Sequence, residues 1–276
     1  MNAYVAAYKL PGDDERRHAQ RVRIGYPIRA DRLIGAGELP TVRLQRALHP
    51  GERFRGWETA LVWAHWVWFA TPQASLVYLY RRDRARFARA AVLTYAVFDL
   101  GAIGYWALPT APPWWAAAEG HLAGEPRAVR RLMVEYGEAF WGERWEALYA
   151  ALGGNPLGAM PSLHFATAVM GALLLRESGP LAGAVGGAYA ATLGAALVYL
   201  GEHYVVDLLA GLALTLAVRR AEPLARRPVR AVGELIERIA RFAAGEEAPG
   251  EAPSRPPAAA RGREATADVI LYKLKY

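Results

Sequence analysis

The sequence predicts an all-α protein: a polytopic transmembrane helical bundle of about five spans with amphipathic helices at its surface. Three observations carry this. First, 54% of the 276 residues are hydrophobic, and they gather into long runs separated by charged stretches rather than spreading as in a soluble fold. Second, Trp and Tyr flank these runs, as in the aromatic belts at a membrane–water boundary. Third, one run, "PLAGAVGGAYAATLGAALVYL", is built of Gly and Ala, the residues that let helices approach closely inside a bundle.

Residues 1–56 are basic, broken by Pro and Gly, and hold no span; they are expected at the membrane surface, with "LPTVRLQRAL" as a short amphipathic helix. The transmembrane region is expected over 57–218. Its first span is Trp57–Tyr80, followed by the basic turn "RRDRARFAR". The second is Ala90–Leu108, ending in the stiff loop "PTAPPWW". Residues 116–154 form a long polar loop containing an interfacial amphipathic helix. The third span is Met160–Leu175, with Pro161 suited to its first turn. The Gly/Ala run over 180–200 is the fourth, and Tyr204–Val218 the fifth. Residues 219–243 read as a basic linker and amphipathic helix, and 244–276 as a disordered tail by composition.

The chain has no cysteine, which excludes disulfides and thiolate chemistry. The net charge of +7 does not imply nucleic acid: the arginines flank apolar runs, where they set topology and meet anionic headgroups. The N-terminus is charged, without the apolar core of a signal peptide.

Counting spans puts "PTAPPWW", "MPSLH" and "GEHYVVD" on one side of the membrane and the basic turns on the other. The positive-inside rule makes the basic side cytoplasmic. The shared polar face is then extracytoplasmic.

On that face His203 and Asp207 are four residues apart and share a side of one helix. An aspartate there fixes the imidazole tautomer and leaves the other nitrogen free as nucleophile or base. His164 lies at matching depth in its own span. One histidine as nucleophile and another as general acid suit phosphoryl transfer, with Ser162 at the helix start able to hold phosphate oxygens. Three ligands without a second carboxylate make a metal site from His164, His203 and Asp207 the weaker alternative. A transporter or scaffold with a buried His/Asp proton relay is the alternative from another class.

"MPSLHFA" and "GEHYVVDLLAG" resemble the second and third signature motifs of the type 2 phosphatidic acid phosphatase superfamily, and "PTAPPWW" resembles the inositol phosphorylceramide synthase branch. The resemblance covers roughly residues 57–218. It implies a membrane enzyme that uses no cofactor or metal and acts on a lipid phosphate. His203 would form a phosphohistidine, Asp207 would orient it, and His164 would protonate the leaving group. The branch favours an alcohol such as inositol as the partner in transfer; water as acceptor would make the protein a lipid phosphate phosphatase.

Two departures leave the phosphate-binding cation unassigned. The superfamily's first motif carries Lys and Arg, but "PTAPPWW" has neither. Arg82 and Arg89 have suitable spacing yet fall on the opposite side. Ala196 and Leu197 stand where the third motif begins Ser-Arg. Arg127, Arg130, Arg131 and Arg144 lie on the correct side and read as ordinary surface residues. Pro112, Pro113 and Trp114 are expected to shape the site mouth. Glu202 is either a solvated carboxylate or a contact for the acceptor, His65 reads as packing, and His121 as solvated.

Overall fold

The computed structural model describes residues 21–49, 51, 53–122, 129–152, 157–224 and 226–243. Among them the regular elements are helices, and isolated bridges join Arg23 to Thr110 and Thr110 to Gly158. The chain divides at Glu237 into a main unit and a second one of residues 238–276. The tail beyond 243, expected to lack order, lies outside the described residues.

The N-terminal segment carries α1 (Gly25–Ile34) and α2 (Pro40–Leu48). The helix expected over "LPTVRLQRAL" forms from Pro40, with Leu39 as its cap, and one face of it is built into the protein. Its Thr41 and Gln45 are buried. Gln45 Nε2 donates to the carbonyls of Arg130 and Tyr199, both at 2.8 Å. Ile28 and Leu39 pack with Ala116, Leu122, Val129 and Tyr204.

The expected first span is not one helix. It is α3 (Gly56–Trp66), a 3-10 turn (Val67–Phe69) and α4 (Thr71–Arg82). Pro72 provides the break: it has no N–H to continue the ladder and restricts the residue before it. The basic turn shrinks to Asp83, and α5 runs over Arg84–Ala107, so Arg84 to Arg89 are helical. A short α6 (Pro113–Ala118) follows.

The expected interfacial helix is two helices, α7 (Leu132–Trp141) and α8 (Arg144–Leu152), separated at Gly142 with φ 56°. They do not lie free: Leu132, Met133, Tyr136 and Trp145 join a buried cluster with Val62, Tyr199 and Leu200.

The central bundle is α5 with α9 (Leu163–Ser178), α10 (Pro180–Tyr199) and α11 (Val205–Ala221). Its core includes Leu93, Val97, Leu163, Met170, Leu193 and Leu197. Gly211 of α11 lies so close to α9 that a Cβ there would come within 2.6 Å of the Ser162 carbonyl. Helix α12 (Arg226–Ala243) closes the described chain and exposes Leu235, Ile239 and Phe242.

Among the described residues two helices, α5 and α10, are each long and apolar enough to cross a membrane. Helix α9 has 16 residues and α11 has 17, about 24 and 26 Å at 1.5 Å per residue, short of a ~30 Å hydrocarbon core. The expectation of five spans is therefore met at two helices.

Candidate active site

The three polar stretches meet at one end of the bundle. Thr110 and the 157–159 segment exchange backbone hydrogen bonds, with Thr110 N to Leu157 O at 2.9 Å and Ala159 N to Thr110 O at 3.1 Å. Trp114 N donates to Gly201 O at 3.2 Å, and Ser162 N to Asp207 O at 3.0 Å. The turn between α10 and α11 is held from within by Leu197 O, which accepts from Glu202 N and His203 N, both at 3.0 Å. Gly201 makes that turn possible. It has φ +84°, and a Cβ there would meet the Arg130 carbonyl at 2.6 Å. Leu197 is thus a core residue whose backbone positions His203.

His203 lies between two partners. Its Nδ1 is 3.3 Å from Asp207 Oδ2, and its Nε2 is 3.3 Å from His164 Nδ1. His203 is 4% exposed and Asp207 fully buried. Asp207 Oδ2 also accepts Tyr204 N–H at 2.9 Å, while Oδ1 has no partner among the described residues. Tyr204 caps α11 and Asp207 occupies its first turn, so the carboxylate also sits at the favourable end of the helix dipole.

His164 is the second residue of α9, whose cap is Ser162. Ser162 is fully buried and its Oγ accepts Phe165 N–H at 3.3 Å. Pro161 precedes this cap and is not in the first turn. The His164 ring is sandwiched: its centroid is 4.0 Å from that of Trp68 and 5.2 Å from that of His65, which stacks on it. Trp68 is itself fixed by its indole N–H to Thr167 Oγ1 at 2.9 Å. His65, expected only to pack, therefore supports a site histidine.

A cation lies beside the turn. Arg131 directly precedes α7, and Leu132 N–H ties that point to Leu200 O at 3.2 Å. Its guanidinium forks onto Glu202, with Nε to Oε1 at 2.8 Å and an Nη to Oε2 at 3.1 Å. It also lies over the Trp114 ring, 3.9 Å from the centroid, a cation–π contact. Glu202 is thus an ion-paired, largely buried carboxylate rather than a solvated one. Burial alone would raise its pKa, but the charge and hydrogen bonds of Arg131 outweigh burial and hold it below the usual range. Burial opposes the charge of Arg131 too, and Glu202 more than offsets it, so its pKa is raised.

The other arginines are placed elsewhere. Arg130 pairs with Glu135, Arg144 is exposed, and Arg127 lies outside the described residues. Arg89 pairs with Glu177 and Glu222, at the far ends of α9 and α11 from the histidines. Pro112 and Pro113 are buried at the start of α6, and Trp114 is half-buried above Arg131. His121 is exposed beside Trp115.

A second unanticipated residue is Asp31 of α1. It is fully buried, and its Oδ1 accepts Val206 N–H at 2.9 Å, at the start of α11. Burial is the main influence on this carboxyl and raises its pKa, against the backbone hydrogen bonds of Val206 and Val205.

The chain is helical throughout its described core and carries a hydrogen-bonded His–His–Asp row at one end. Residues 55–220 match the family model described as PAP2 superfamily, and the chain belongs to that superfamily. No curated protein and no solved structure matches it. Membership supports, at a coarse level, a phosphatase-like activity on lipid phosphates.

Proposed function

We propose that the protein is an integral membrane enzyme that moves a phosphate or phospho-headgroup between a lipid phosphate and an alcohol, through a phosphohistidine on His203. The observation that carries this reading is the row Asp207–His203–His164. Asp207 accepts the Nδ1 proton of His203 and leaves the Nε2 lone pair for phosphorus. Nε2 attacks, the P–N bond forms, and the P–O bond to the leaving group breaks with its electron pair going to oxygen. His164 supplies the proton that this oxygen takes up. In the second half an alcohol gives its proton to His164 and attacks phosphorus, and the P–N bond breaks to restore His203.

The two nitrogens at 3.3 Å are too close for a phosphoryl group between them. A near-attack distance of roughly 3–3.5 Å on one side and a hydrogen bond of ~2.6–3.2 Å on the other must both fit. The His164 ring must therefore turn aside as substrate enters. Arg131 is the cation we assign to the phosphate oxygens, held ready by Glu202 and Trp114. Ser162 serves in this reading by capping the helix that carries His164, with a phosphate contact as its further role. Pro112, Pro113 and Trp114 form the mouth.

Membrane embedding is supported by family membership, by α5 and α10, and by exposed apolar residues along the helices, among them Ile103, Val185 and Leu209. Arg86, Arg89, Arg176, Arg219 and Arg220 gather at the end away from the histidines, while the N-terminal segment brings Arg23, Arg29, Arg32, Arg43 and Arg46 to the histidine end, so an outward-facing site rests on the span order and not on a charge count.

The test uses purified protein in detergent with a ³²P-labelled lipid phosphate. An acid-labile, base-stable phosphoprotein is expected, absent in His203→Ala. Full turnover by His203→Ala would overturn the mechanism. Free phosphate release that does not fall when inositol is added would assign water as the acceptor and make the protein a phosphatase.

A further inference from the structure

At the opposite end of the bundle a cavity of about 700 Å³ lies between α4, the end of α9 and the first half of α10, within the ~300–1,000 Å³ range of small-molecule sites. Its lining runs from Ser178, Gly179 and Arg82 at one end to Thr71 and Tyr189 at the other. The deep end is polar only in name. Thr71 Oγ1 donates to the Trp68 carbonyl at 3.2 Å, Ser75 Oγ to the Thr71 carbonyl at 2.9 Å, and Tyr189 OH to the Ala64 carbonyl at 3.0 Å. The rest of the wall is Ala74, Leu175, Val185 and similar side chains.

The mouth has the opposite character. Ser178 lines the mouth, but its Oγ is enclosed by protein and out of reach of a ligand. Arg82 is exposed and makes no ion pair or hydrogen bond among the described residues. Helix α10, 20 residues long, starts here with no side-chain cap. Leu181 and Ala182, whose N–H groups belong to its open first turn, line the cavity. The nearby Glu177 carboxylate is already engaged by Arg89 and Arg219.

An apolar slot with unpartnered donors and a positive charge at one end fits an amphiphile with an anionic head. From Pro180 to Tyr189 the helix rises about 14 Å, which is close to half of a ~30 Å hydrocarbon core. The slot is thus one leaflet deep. Its mouth lies a full length of α9 from His164, about 22 Å along the axis, so its occupant is not the lipid being turned over at the histidines.

We propose that this cavity is a resident-lipid site. It would hold one acyl chain of an anionic phospholipid, with the phosphate at the uncapped start of α10 beside Arg82. This rests on the membrane reading above but not on the catalytic one.

The experiment is native mass spectrometry of the full chain, released from detergent micelles containing equal phosphatidylglycerol and phosphatidylcholine. The wild type is expected to retain one phosphatidylglycerol in preference to phosphatidylcholine. Arg82→Gln, a surface change, should weaken that preference about fivefold, the worth of one cation near anionic headgroups. Val185→Trp, on an exposed part of the wall, should reduce retention of both lipids. His203→Ala should retain lipid like the wild type, so failure of the catalytic reading leaves this readout intact. Equal retention of the two lipids by the wild type would overturn the proposal, as would unchanged retention in both Arg82→Gln and Val185→Trp.

Discussion

Arg131 grips Glu202 through two hydrogen bonds, 2.8 and 3.1 Å long, one residue before His203. The same guanidinium lies 3.9 Å above the ring of Trp114. One side chain therefore links the Trp114 loop, the start of α7 and the turn that carries the proposed nucleophile. If Arg131 meets the phosphate, Arg131→Ala should lower kcat/KM for a lipid phosphate by roughly 10²-fold or more, as for removal of a donor aimed at developing charge. Arg131→Lys should recover only part of this, because an ammonium cannot fork onto a carboxylate or lie flat on an indole. Steady-state kinetics on the two variants decide; equal activity of Arg131→Ala and wild type would remove Arg131 from the site.

The contact between His164 and His203 leads to a leaving-group test. A general acid contributes typically ~10²–10⁴-fold, and only where the departing oxygen needs a proton. His164→Ala should therefore lose a factor in that range on an alkyl lipid phosphate. On an aryl phosphate, whose phenolate leaves unaided, the loss should be far smaller. An equal loss on both substrates would assign His164 to positioning rather than proton transfer.

Asp31 caps α11 from 175 residues away. Its removal should act on stability before chemistry. Asp31→Ala strips the Val206 N–H of its acceptor and should cost about 0.5–2 kcal/mol, the usual range for a lost cap. Asp31→Asn keeps an acceptor oxygen and should lie nearer the wild type. Thermal unfolding in detergent measures both. If Asp31→Ala melts as the wild type does, the N-terminal segment does not brace the catalytic helix.

Glu202 has a pH signature. Its pKa is depressed in the folded protein below the ordinary 4.5. A depressed carboxylate contributes stability that is fully present above the unfolded value and lost as pH falls through the folded one. The stability gap between wild type and Glu202→Gln should hold steady at neutral pH and narrow only on acidification below 4.5. A gap that instead narrows as pH rises toward neutrality would show that the Arg131 pairing does not govern this carboxyl.

Much of the protein can be read from its sequence, because much of it is local. The hydrophobic runs imply helices, and helices form there. His203 and Asp207 are four residues apart but do not share a helix: His203 lies in the turn before the cap Tyr204 and Asp207 in the first turn of α11, so the spacing suggests the pair and the turn held by Leu197 O completes it. Counting helices brings His164 to the same end, and the hydrogen bond between the histidines agrees with that count. The length of the runs misled where proline intervened: Trp57 to Tyr80 is apolar enough to span, but Pro72 divides it. Composition could not separate "on the surface" from "built in" for residues 25–48 or 132–152. Both stretches are amphipathic, and whether such a face meets lipid or protein depends on what packs against it.

Sequence alone determined the helical class, the PAP2-like motifs and the His–His–Asp row, since each rests on neighbours within a few residues or on the order of the helices. Only the tertiary structure decided which arginine stands beside the row, which carboxylate steadies it, and what braces α11. Arg131 and Glu202 are 71 residues apart. A salt bridge leaves no periodic trace in the chain, because nothing but chain folding brings its two charges together.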